Sequence, residues 1–130
     1  MTTAFSLIYV TFPDDETALS VGRTVVTERL AACANILGRI LSVYWWDGRV
    51  NQEGEVALLF KTRADLSALL IDRVRALHPY TCPCIVSVPI GDGNPAFLEW
   101  LAAETMPAPC GRADDPGMAE PSAYPDSSTG

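Results

Sequence analysis

The dipeptide Asp47-Gly48 stands between two long stretches of strand-forming residues, and it limits this chain more than any other feature. Asp-Gly supplies the positive backbone φ of a tight hairpin turn. "NILGRILSVYWW" (Asn35–Trp46) runs into that turn, and "EVALLFKT" (Glu55–Thr62) returns after it. Gly38 marks a predicted bulge or bend in the first arm. The hairpin is longer than a small sheet needs, and Trp45 and Trp46 put large aromatic surface near its tip. Such an overhang either aggregates or pairs with another subunit.

The remaining elements fall into place around this hairpin. "FSLIYVTF" (Phe5–Phe12) reads as a buried strand that Pro13 stops. Asp14, Asp15 and Glu16 then set negative charge at a helix N-terminus, and Ala18, Val21, Val25, Val26 and Leu30 follow helical spacing. Thr62 and Asp65 fit a capping box for a second helix through Leu66, Leu70, Val74 and Leu77. Pro79 closes that helix. "CIVSVPI" (Cys84–Ile90) is the next strand, and Asn94-Pro95 opens a short third helix. The order β-α-β-β-α-β plus a terminal helix is that of an α+β, ferredoxin-like split β-α-β sandwich.

Composition divides the chain at Glu104. Residues 1–104 carry 8 basic and 12 acidic side chains, and residues 105–130 carry 1 and 4, with five of the ten prolines. The second part is expected to be a disordered, acidic, Pro-rich tail, and the first a single domain. The net charge of −7 and the lack of a basic stripe argue against nucleic acid as a partner. No apolar run reaches the ~18 residues of a membrane span. The first residues lack the basic region of a signal peptide, so a cytoplasmic protein with reduced thiols is expected. No phosphate-binding loop and no nucleophile–base pair is visible, so the chain does not read as an enzyme.

Chemistry can reside in few places. Thiolates and imidazole suit copper and zinc, and "LHPYTCPCIV" (Leu77–Val86) holds His78, Cys82 and Cys84. Extended residues two apart lie roughly 6.5–7 Å apart at Cα, at or beyond the usual reach of a disulfide. Their side chains would share one face and could offer two sulfurs to one ion. Equally, Cys33 reads as a small core side chain, and His78 as a helix-ending cation that faces the helix dipole. Lys61 follows an apolar run, so its charge needs a carboxylate or a ligand anion.

Five separated motifs, in order, are similar to one family: "TFPDDETA" (Thr11–Ala18), "ERLAACANI" (Glu28–Ile36), "YWWDG" (Tyr44–Gly48), "EVALLFKT" (Glu55–Thr62) and "HPYTCP" (His78–Pro83). The chain resembles the CutA family of divalent-cation tolerance proteins from about Phe5 to Glu104. The resemblance implies a ferredoxin-like fold in a tight homotrimer, where long hairpins add to neighbouring subunits' sheets as in PII-type signalling proteins. It implies copper or another divalent metal ion as a weak ligand, with Cys33 at the family's cysteine position and His78, Cys82 and Cys84 as further candidates. Cys84 stands where the family usually has glutamate. The resemblance also implies that Lys61, Tyr80, Glu55 and Trp46 meet near a subunit interface. That cleft supports an alternative, a PII-like sensor of a small anion whose hairpin or tail contacts a protein partner.

Overall fold

The computed structural model of the chain describes residues 4–107. β1 (Phe5–Phe12) leads into α1 (Asp15–Thr27), followed by the hairpin of β2 (Cys33–Trp46) and β3 (Arg49–Arg63). One 3-10 turn then precedes α2 (Ser67–Leu77), and β4 (Ile85–Ile90) and α3 (Pro95–Glu104) complete the order. The four strands make one antiparallel sheet in the order β2-β3-β1-β4, the ferredoxin-like α+β arrangement.

Alternation along β1 sorts the sheet into two faces. Ile8, Val10 and Phe12 pair with Phe60, Leu58 and Val56, and all six are fully buried. This face meets Ala18, Val21 and Val25 of α1 and Leu70 and Val74 of α2. Each such side chain contributes about 1.5–3 kcal/mol by leaving water. Asp14 caps α1 by accepting from the Thr17 N–H at 2.7 Å. A paired Arg73–Glu28 contact, 2.9 and 2.8 Å, links α2 to the residue that ends α1.

The opposite face carries Leu7, Tyr9 and Thr11 beside Lys61, Leu59 and Ala57. α3 covers only its Lys61 end, where the Lys61 ammonium sits 5.6 Å from the centre of the Phe97 ring. Val86 and Val88 of β4 remain exposed on this face.

The hairpin departs from its expected length in both arms. β2 begins at Cys33, and β3 is continuous from Arg49 to Arg63. Asp47 and Gly48 both take positive φ, 54° and 76°, as the turn requires. At Gly38, φ is 116° and the register slips by one residue between Ile36 and Gly38, so the expected bulge is present. Beyond this bulge Leu41, Val43, Trp45 and Trp46 are 66%, 63%, 74% and 56% exposed.

Two expectations need correction. The Thr62–Asp65 capping box does not form. Thr62 lies inside β3, fully buried, and its hydroxyl donates to the Leu30 carbonyl at 2.6 Å. Asp65 instead binds the Arg63 guanidinium at 3.0 Å. Strand pairing of Phe5 with Arg63 holds the chain extended past the expected helix start. Secondly, Thr105 and Met106, grouped with the tail by composition, are buried. Arg63 Nη1 donates to the Thr105 hydroxyl at 2.8 Å and to the Met106 carbonyl, and the Met106 N–H donates to the Arg29 carbonyl at 2.9 Å. The expected disordered tail otherwise falls on residues 108–130, outside the described residues.

Candidate functional site

A cavity of about 730 Å³ opens between β1, the hairpin and the corner that joins α2 to β4. β1 contributes Tyr9 and Thr11, the hairpin contributes Ser42, Tyr44, Trp46 and Glu55, and the corner contributes Tyr80, Cys82 and Cys84. The bulge at Gly38 precedes the stretch of β2 that forms this wall. Ser42, Tyr44 and Trp46 then recur at the two-residue spacing that keeps them on one face.

Glu55 is the polar centre of the cavity. One carboxylate oxygen accepts from the Ser42 hydroxyl at 2.7 Å, and the other from the Tyr80 phenol at 3.1 Å. Burial, reinforced by the Glu55 charge, pushes the Tyr80 phenol up to about 12, so it remains a donor across the physiological range. Burial also raises Tyr9, helped by Cys84 and Glu55. Tyr44 points its hydroxyl to Glu53 at 3.1 Å.

His78 holds the corner in place. Its Nε2 lies 2.7 Å from the Thr11 carbonyl, and its Nδ1 accepts from the Tyr80 N–H at 3.2 Å. This pair of partners fixes the neutral tautomer with the proton on Nε2. The ring stacks on Phe12, centroids 4.7 Å apart, and meets the Tyr80 ring at a tilt, 4.8 Å away. Burial holds His78 below the ordinary histidine range, against the opposing effects of Thr11 and Glu55. The expected helix-end cation is therefore a buried neutral ring. Both nitrogens serve the backbone, so within this chain His78 positions the corner.

The remaining expected residues divide between two regions. Cys82 and Cys84 are free, exposed thiols that line the cavity. Desolvation and then the Glu55 charge raise the Cys84 thiol, which favours its protonated form. Cys33 is also free, but it pairs with Lys61 at the far end of the hairpin, its sulfur 3.7 Å from Asn35 Oδ1. Lys61 does not join the expected cleft within one chain. It lies six residues along β3 from Glu55, roughly 20 Å at the strand rise, and within the protomer its cation faces Phe97 instead of Tyr80. The proposed set thus reduces to Tyr80, Glu55 and Trp46, joined by Tyr9, Ser42 and Tyr44, which sequence reasoning missed. Strand alternation from Trp46 back to Ser42 was the available signal for two of them.

Among the described residues, no group of three or more His, Cys, Asp or Glu side chains is placed to hold a metal ion. The described residues therefore do not assemble the four-ligand sphere that zinc prefers. Among the described residues, no helix is long and apolar enough to cross a membrane.

Residues 6–104 match the family model described as CutA1 divalent ion tolerance protein. The divalent-cation tolerance protein CutA of Pyrococcus horikoshii is 43% identical over 99 residues, 76% of this chain and 96% of that protein. The solved divalent cation tolerance protein of Thermus thermophilus superposes with a TM-score of 0.76 at 42% identity, covering 78% of this chain and 99% of that one. The periplasmic divalent cation tolerance protein CutA of Archaeoglobus fulgidus gives 0.75 at 38% identity, covering 77% and 97%. With its motifs, fold and length of match in agreement, the chain belongs to the CutA1 family of divalent ion tolerance proteins.

Proposed function

We propose that this protein acts without catalysis in divalent-cation tolerance, as a cytoplasmic homotrimer that binds copper or another divalent metal ion weakly. The observation that carries the metal reading is the pair Cys82 and Cys84, two free thiols on one cavity beside the Glu55 carboxylate. Soft sulfur ligands select copper, and an incomplete ligand set keeps the affinity low. Exposed free thiols also fit a reducing compartment. The names of the relatives, which are divalent-cation tolerance proteins, point the same way.

Assembly is supported by the bare apolar hairpin and by β2, which lies at the edge of the sheet. An exposed edge with apolar side chains favours pairing with another chain. The alternative of a small-anion sensor is less well supported, because among the described residues of this chain the cavity lining contains no cation.

Calorimetric titration of the reduced protein with Cu(I), Cu(II) and Zn(II), beside Cys82→Ser/Cys84→Ser, tests the metal reading. Binding that weakens in the double variant supports it. Binding should also strengthen as pH rises, because the raised Cys84 thiol must lose its proton to bind metal. Identical weak titrations for both proteins at every pH would refute these thiols as the site.

A further inference from the structure

The sheet face that carries Glu55 changes parity along β2. Before the bulge, Cys33 and Asn35 share this face with Lys61 and Leu59. Beyond it, Ile40, Ser42 and Tyr44 share it with Glu55, Glu53 and Asn51. Leu37 is the extra residue that causes the change, since Ile36 pairs with Leu58 and Gly38 with the next residue, Ala57. A slip of one residue exchanges the two faces of a strand, so this bulge decides which side chains stand beside Glu55.

The same sequence fits a second register. Without the bulge, every later β2 residue moves on by one position, so Arg39 faces Glu55 and Trp45 faces Arg49. Trp46, Asp47 and Gly48 then close the hairpin as a three-residue loop. Such loops end on a left-handed residue, for which glycine is preferred, and Gly48 already has a φ of 76°. The second register also releases Gly38 from its φ of 116° and Asp47 from its φ of 54°. We propose that the Gly38 bulge and the Asp47-Gly48 turn form a register switch, whose other state is a straight β2 that sets Arg39 in place of Ser42 beside the Glu55 carboxylate.

Strand order determines which arm moves. β3 is held by β1 from Arg63 to Val56, whereas β2 lies at the edge of the sheet and pairs with β3 alone. A shift of β2 therefore leaves the core pairing intact. Polar contacts hold the observed state: the Ser42 hydroxyl donates to Glu55 at 2.7 Å, the Tyr44 hydroxyl to Glu53 at 3.1 Å, and Asn51 Nδ2 to the Trp46 and Arg49 carbonyls at 3.2 and 3.1 Å. In the other state a cross-strand Arg39–Glu55 ion pair replaces the Ser42 contact. The switch thus exchanges a neutral hydroxyl for a guanidinium at the acidic centre and removes Trp46 from the strand. Both registers are defined by pairing within one chain, whatever covers the hairpin from outside.

Interstrand nuclear Overhauser contacts in the isotope-labelled full-length protein report the register. The wild type should pair Val43 with Gln52 and Tyr44 with Asn51. Gly38→Ala adds only a Cβ, and no atom of the described residues lies within 4 Å of its position, so the substitution acts through the backbone φ. It should move the contacts to Val43 with Asn51 and Tyr44 with Val50. The same substitution in a chain that also lacks Leu37 should restore the wild-type contacts, because that deletion removes the bulge without moving the arm. Asp47→Ala weakens the two-residue turn from the other end, and it should show the second set of contacts at about a tenth of the signal or more. This variant decides the matter if Gly38→Ala does not fold. Wild-type contacts alone in folded Gly38→Ala would overturn the switch. So would wild-type contacts alone in Asp47→Ala, or a shifted register that persists when Leu37 is deleted.

Discussion

His78 shows how one side chain can acquire its role from a distant part of the chain. Its position before Pro79 invites a charged, helix-ending role, yet its main partner is the Thr11 carbonyl in another element. A buried neutral histidine carries a pH signature whose sign is fixed. The folded form binds a proton less readily than the ordinary value of ~6.5, so the unfolded chain protonates first as pH falls. Stability is unaffected by this group above about pH 6.5 and declines as pH falls from there toward the folded value. The limiting slope for one proton is about 1.4 kcal/mol per pH unit. Urea unfolding between pH 7.5 and 5.5 should show this decline, and His78→Gln should flatten it while lowering stability throughout. A wild-type profile as flat as the variant's would refute the buried neutral ring. The chain has a single histidine, so no other imidazole can supply the slope.

At the scale of elements, legibility follows the range of the interaction involved. The Asp47-Gly48 turn, the Gly38 bulge and the Asn94 cap were readable because each is decided by backbone conformation within a few residues. The Thr62–Asp65 box failed because a longer-range pairing of Phe5 with Arg63 overrode a local preference. Lys61 was misplaced for a related reason. Sequence order put it close to Glu55, while strand geometry separates the two by most of an arm of the hairpin. Composition also misjudged the segment after α3. Thr105 and Met106 look like the start of a polar tail, but Arg63 and Arg29 anchor them. A chain ending at Pro107 keeps that anchor, whereas one ending at Glu104 loses it together with the buried Met106 side chain. The shorter chain should be less stable by about 2–5 kcal/mol, combining a lost apolar burial with hydrogen bonds to a charged group. Thermal unfolding of the two truncations checks this, and equal melting temperatures would return Thr105 and Met106 to the tail.

At the scale of the whole molecule, the imbalance between the two ends of the hairpin is the dominant fact. Its base is fixed in the core by Val56, Leu58 and Phe60, while its distal half presents apolar side chains to solvent. A protomer gains nothing from that exposure, but the proposed trimer would bury it. Trp45 separates assembly from folding more cleanly than Trp46, because Trp46 also lines the cavity. Truncating an exposed side chain usually changes protomer stability by no more than about 0.5 kcal/mol. Removing an aromatic anchor from a buried interface instead costs on the order of 2 kcal/mol or more at each copy. Under the proposed assembly, Trp45→Ala should therefore keep its helix and strand signals by circular dichroism and yet dissociate at protein concentrations where the wild type holds the mass of a trimer. Sedimentation velocity across a dilution series measures this. A variant with the same mass as the wild type throughout would show that the Trp45 side chain contributes no anchor.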